Sequence, residues 1–170
     1  RNIDVARPTA VCGEEGIRCA DAARSVWQSV QDAAERWDDK SEACDFSTLI
    51  AYEWTLTPNF TKIHRNVIFR NTHVPEAPIS SIDETRASGL WRRLREECLE
   101  AGTGCDVIAI PHNSNLSNGN LFAAETREGA SLEEQAAMAA ERARLEPLVE
   151  IMQVKGDSEC RNGLGGVLGA

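Results

Sequence analysis

The chain has no hydrophobic run near the roughly 20 residues that a membrane-spanning helix needs, so no membrane span is expected. It is short of positive charge, with 18 Lys+Arg against 27 Asp+Glu and a net charge of −9. That field has the wrong sign for nucleic acid or an anionic membrane surface. A small anionic substrate stays open, because a metal ion or local arginines can reverse the sign inside a cleft. No G-x-S-x-G elbow presents a serine nucleophile, and no cysteine has a histidine beside it in sequence. No glycine-rich phosphate loop follows a strand, since "GLGG" near the end has the wrong spacing and context. There are no internal repeats and no composition break, so the 170 residues read as one domain. Histidine is scarce, at three residues, which makes the position of each one informative.

Apolar content of 42% and charged content of 26% are ordinary for a globular protein. Six cysteines are many for this size. Cys12 and Cys19 enclose "GEEGIR", and Cys98 and Cys105 enclose "LEAGTG". Each pair brackets a glycine-containing turn and is a candidate local disulfide. Reduced structural thiols or a metal site are the alternatives, although the C-x2-4-C knuckle is absent. Cys44 and Cys160 lack an obvious local partner and could pair with each other or with other chain. The cysteine count favours a periplasmic or secreted location over a cytoplasmic one. The chain opens at Arg1 without Met and stops in "GLGGVLGA", so it reads as an internal piece of a longer protein.

Residues 1–45 read as a loop and a helix, 46–160 as the core, and 161–170 as a flexible tail. The helix spans 20–37, with Ala23, Val26, Trp27, Val30, Ala33, Ala34 and Trp37 at helical spacing. "FSTLIAYEW" (46–54) and "HRNVIFRN" (64–71) are β-rich, and Pro58 and Asn59 between them suit a hairpin loop. A helix starts near Ser80 to Asp83 and ends before Gly102, with Leu90, Trp91, Leu94 and Cys98 on one face. "DVIAIP" is the third strand, 131–146 is a helix with Ser131 and Glu134 placed as a capping box, and "PLVEIMQV" (147–154) is a fourth strand. Strands separated by helices predict an α/β fold with mostly parallel strands and one hairpin.

Titratable residues follow the buried strands. Glu53 follows "LIAY", His112 follows "VIAIP", and Lys155, Gly156, Asp157 and Glu159 follow "IMQV". The carboxyl edge of such strands is where α/β folds build active sites. His64 starts its strand, and an antiparallel hairpin would set it beside Glu53. One carboxylate and two imidazoles suit Zn²⁺, Mn²⁺ or Fe. Each alone has a plainer reading, as a hydrogen-bonded structural histidine or a solvated glutamate. "HNSNLSNG", from His112, is equally a turn-rich loop or a set of amides that orient substrate and ligands. His73, Tyr52 and Trp54 are read as structural.

The blocks "YEWTLTPNFTKIHRNVIFRN", "DVIAIPHNSNLSNG" and "EPLVEIMQVKGDSE" resemble the DUF3604 family of bacterial proteins, which resembles the PHP (polymerase and histidinol phosphatase) superfamily of metal-dependent phosphoesterases. The resemblance runs over about 46–160. It implies a partial, distorted (β/α)7 barrel and a hydrolase, acting on a phosphoester, with metal-activated water as nucleophile. By position, Glu53 looks like the bridging carboxylate, and His64 and His112 like two histidine ligands. Arg65, Asn66, Asn113, Asn115, Lys155 and Asp157 would surround the metals or face the substrate. The H-x-H and D-x-H strands of that superfamily are absent, so the chain alone is expected to be inactive and to hold metal weakly or not at all. The substrate would be small and phosphorylated or otherwise anionic, and the exposed sheet edges of an open barrel would favour a homo-oligomer. A non-catalytic binding module and an amidohydrolase-type enzyme are the alternatives.

Overall fold

The computed structural model describes residues 8–123 and 129–151. Among these residues three strands form one open antiparallel sheet in the order β1-β2-β3: β1 is Ala51–Leu56, β2 is Ile63–Phe69 and β3 is Val107–His112. Four α-helices among the described residues accompany it: α1 Thr9–Cys12, α2 Ile17–Trp37, α3 Ala87–Leu94 and α4 Leu132–Leu145. This overturns the expected (β/α)7 barrel with mostly parallel strands. A helix between two strands suggests a parallel crossover, yet the 70–106 connection leaves and re-enters the sheet at the same end. Phe69 and Val107 are cross-strand partners, and Arg70 N donates to the Asp106 carbonyl at 3.0 Å. The expected fourth strand is not formed over 147–151, and the rest of it lies outside the described residues.

What closes the return into β3 is local chemistry. After α3 the backbone continues through a π-helical turn, Arg95–Leu99, and then reverses. Gly102 (φ 73°) and Gly104 (φ 79°) take left-handed backbone that other residues adopt only at a cost. Cys98 and Cys105, both buried, are joined across this reversal by a disulfide, as are Cys12 and Cys19 at the start of α2. Cys44 is exposed and forms no disulfide among the described residues, while Cys160 lies outside them. Closing a loop this short removes about 2–3 kcal/mol of chain entropy from the unfolded state. Reduction of Cys98–Cys105, or its replacement by two alanines, is therefore expected to lower stability by about that amount. A urea midpoint that stays fixed under reductant would contradict this.

The sheet has one dry face and one half-open face, because neighbouring side chains on a strand point to opposite sides. Ile63, Arg65, Val67 and Phe69 of β2 are buried, whereas His64, Asn66 and Ile68 between them are partly exposed. On β3, Val107, Ala109 and Pro111 join the buried set. Leu90, Trp91 and Leu94 of α3, Leu145 of α4 and Trp27 of α2 pack against this dry face. Trp27, Tyr52 and Phe69 form an aromatic cluster with centroids 5.7–6.3 Å apart. The Trp27 indole donates to the Pro75 carbonyl at 2.9 Å, and Ile79 N donates to the Tyr52 hydroxyl at 3.2 Å. Burial pushes the Tyr52 phenol well above its ordinary range, so Tyr52 is a neutral packing residue. In α2 the apolar stripe is wider than the buried one: Val26 and Trp37 are exposed.

The second buried feature is charged. Arg65 enters the core from β2 and its Nε donates to Glu146 Oε1 at 2.8 Å. The same oxygen accepts from Trp91 Nε1 at 2.8 Å, and Arg142 Nε reaches Glu146 Oε2 at 3.0 Å. The Arg65 guanidinium lies between the rings of Trp54 and Trp91, 5.9 and 6.0 Å from their centroids. Glu146 thus ties the end of α4 to the sheet and to α3. At its start, α4 has the expected capping box: Glu134 N donates to Ser131 Oγ and Ser131 N to Glu134 Oε2. No described helix is long and apolar enough to cross a membrane.

Candidate metal centre

The half-open face of the sheet gathers the titratable residues. β1 and β3 run in the same direction with β2 reversed between them. The start of β2 therefore lies beside the last residues of both neighbours. His64 pairs with His112 on one side and with Thr55 on the other. Glu53 stands two residues before Thr55, hence on the same face and diagonal to His64. Convergence at this edge needs only these strand directions, which is why it occurs in an antiparallel sheet.

Donor atoms of Glu53, His64 and His112 all lie within 4.8 Å of one another. His64 Nδ1 is 3.0 Å from Glu53 Oε1, and His112 Nε2 is 3.8 Å from Glu53 Oε2. Each carboxylate oxygen thus faces a different imidazole. The two rings are 5.4 Å apart between centroids and inclined at 69°. The histidine side chains are 13% and 12% exposed and Glu53 is 43% exposed, so the cluster opens to solvent through the carboxylate. His112 Nε2 is buried and has no hydrogen-bond partner among the described residues. Thr55 Oγ1 donates to Glu53 Oε1 and restricts the carboxylate.

This donor set fits a divalent transition metal. Ligand atoms about 2.0–2.2 Å from one ion stand roughly 3–4 Å apart; the 3.0 and 3.8 Å contacts to Glu53 fall in that range, and the 4.8 Å limit on the three donors closes with a small side-chain movement. Two imidazoles and one carboxylate are borderline donors suited to Zn²⁺, Mn²⁺ or Fe²⁺, and three protein ligands leave coordination positions for water or substrate.

The other sequence-predicted residues fall in different places. Asn66 lies on the same face as Glu53, directly opposite it. Arg65 does not belong to the site: it points to the dry face and is committed to Glu146. Strand alternation dictates this, since Arg65 follows His64 and cannot share its face. Asn113 is buried just after β3, in left-handed backbone with φ 61°. Asn115 sits in the following turn, with its Oδ1 buried and unpartnered among the described residues. Lys155 and Asp157 lie outside the described residues. His73 is exposed in the loop after the far end of β2, away from His64.

Two further residues contribute without having been expected from the sequence. Thr55 has a signal, its two-residue spacing from Glu53. Glu150, whose Oε2 accepts from Asn113 N at 2.9 Å, has no comparable signal, because the contact spans 37 residues.

A family model described as "Protein of unknown function (DUF3604)" matches residues 2–166. No curated protein and no solved structure matches the chain.

Proposed function

The chain belongs to the DUF3604 family, and from that premise we propose that it carries a divalent-metal centre of a hydrolase acting on a small phosphoester. The observation that carries this reading is the meeting of Glu53, His64 and His112 donor atoms within 4.8 Å on one sheet face. The choice of chemistry follows the resemblance of the sequence blocks around these residues to DUF3604 proteins and, only through that family, to PHP phosphoesterases. Glu53, His64 and His112 would hold the ion.

When bound, such an ion supplies a Lewis acid for a phosphoryl oxygen and lowers the pKa of water. The chain's own residues then have defined tasks. Glu53 spans the two imidazoles, one oxygen toward each, and Thr55 keeps it there. His64 and His112 offer nitrogen donors from a partly dry face, where water competes less for them. Asn66, opposite Glu53, is placed to hydrogen-bond a substrate oxygen beside the donors.

The test is hydrolysis of a panel of phosphomonoesters and phosphodiesters by the full protein, with added Mn²⁺ or Zn²⁺. Metal-dependent turnover is expected, lost on chelation and in Glu53→Gln. Bound metal with no phosphoester turnover would sink the phosphoesterase reading. Cleavage of amides instead would assign the centre to amidohydrolase chemistry.

A further inference from the structure

We infer that Glu150 is a positioning residue for the metal centre, holding the chain on both sides of His112 and so fixing where that imidazole presents its nitrogen. The inference rests on the metal-centre reading above. Two contacts carry it. Glu150 N donates to the Pro111 carbonyl at 3.0 Å, and Glu150 Oε2 accepts from Asn113 N at 2.9 Å. Pro111 and Asn113 are the immediate neighbours of His112. One residue from a distant part of the sequence therefore grips the peptide before the ligand and the peptide after it.

The grip falls where the backbone needs it. β3 ends at His112, and Asn113 turns the chain through φ 61°, ψ 38°. Left-handed backbone outside glycine persists when its surroundings over-determine it, and asparagine is among the residues that tolerate it. A carboxylate on the Asn113 N–H makes a charge-assisted hydrogen bond, stronger than a neutral one. Glu150 is in turn restrained from behind: four residues earlier, Glu146 is locked in the core by Arg65, Trp91 and Arg142. Residues 147–149 thus form a short strap between a buried anchor and the metal centre. Residues that orient a ligand without touching the ion commonly change metal affinity by 10- to 100-fold.

Titration with Co²⁺, followed by its visible absorption, tests this on the full chain and three variants. Glu150→Ala is expected to bind Co²⁺ about 10- to 100-fold more weakly, with an altered spectrum. Glu150→Gln, which keeps an oxygen to accept from Asn113 N but loses the charge assistance, should lie between Glu150→Ala and wild type, nearer to wild type in both. Circular dichroism checks that each variant is folded. If Glu150→Ala binds like wild type, the positioning role falls and the metal centre stands. If Glu150→Gln is as weak as Glu150→Ala, the negative charge acts on the ion directly and the positioning role falls as well. If the wild-type protein at its full length gives no Co²⁺ spectrum, the metal-centre reading fails and takes this inference with it. Should Glu150→Ala not fold, Glu150→Asp decides: it keeps the charge but is one methylene shorter, so weaker binding is expected and unchanged binding overturns the proposal.

Discussion

Glu146→Ala should destabilise the fold by about 3–5 kcal/mol, the cost of leaving a buried charge without its counter-ion. The Arg65 and Glu146 side chains are 1% and 3% exposed, so water cannot replace the lost partner. The variant also removes the acceptor of the Trp91 indole and of Arg142 Nε, two more donors from different elements. Chemical denaturation should show a lower midpoint with little change in slope, and Tm should fall by roughly 10 °C. The double variant Arg65→Met/Glu146→Leu separates cause from position. It removes both charges and keeps apolar volume, so most of the lost stability should return. A loss below about 1 kcal/mol in Glu146→Ala would mean that the ion pair is not what ties α4 to the sheet. The expected effect is large because Glu146 accepts from three elements at once, β2, α3 and α4.

Metal affinity is the second large effect. Glu53→Gln and His112→Ala should each weaken Zn²⁺ binding by at least about 100-fold, the upper end of what even an outer partner contributes. His73→Ala, at the third histidine, should change nothing, because His73 lies beyond the opposite end of β2. Calorimetric titration of the folded variants provides the comparison. Equal loss in His73→Ala and His112→Ala would show that surface histidines bind the ion and that the cluster on the sheet does not. Neither ligand variant should cost much stability. Both side chains stand on the half-open face, and the apolar core lies on the other.

The cluster of Glu53, His64 and His112 and the buried ion pair also differ in how far the sequence reveals them. The hairpin is legible because Pro58 and Asn59 mark its turn, and Asn59 does adopt positive φ, at 49°. The N-terminus of α4 is legible because Ser131 and Glu134 satisfy each other's backbone locally. The approach of Glu53 to His64 is open to anticipation because the hairpin of β1 and β2 alone brings them together. The direction of β3 is not legible. It is decided by where the 70–106 connection returns, and hence by the reversal at Gly102 and Gly104 and the disulfide across it. A helix between two strands is compatible with either direction. Nearness to His64 suggests a place for Arg65 in the site, although alternation puts it on the far face. A charge among Ile63, Val67 and Phe69 breaks the apolar pattern, and its partner Glu146 is 81 residues away. Contacts of that range, like the one between Glu150 and Asn113, leave no periodic trace.

The alternation along β2 also governs how this chain can change in length. Adding or removing one residue between Ile63 and Phe69 would exchange the two faces beyond that point. A slip ahead of His64 would turn both histidine and asparagine into the apolar layer and bring an arginine out to the surface. The turn from Thr57 to Lys62 and the 70–86 connection carry no such constraint, because no regular strand passes through them. Insertions that arise in this lineage therefore have places to accumulate, and the seven residues of β2 are not among them.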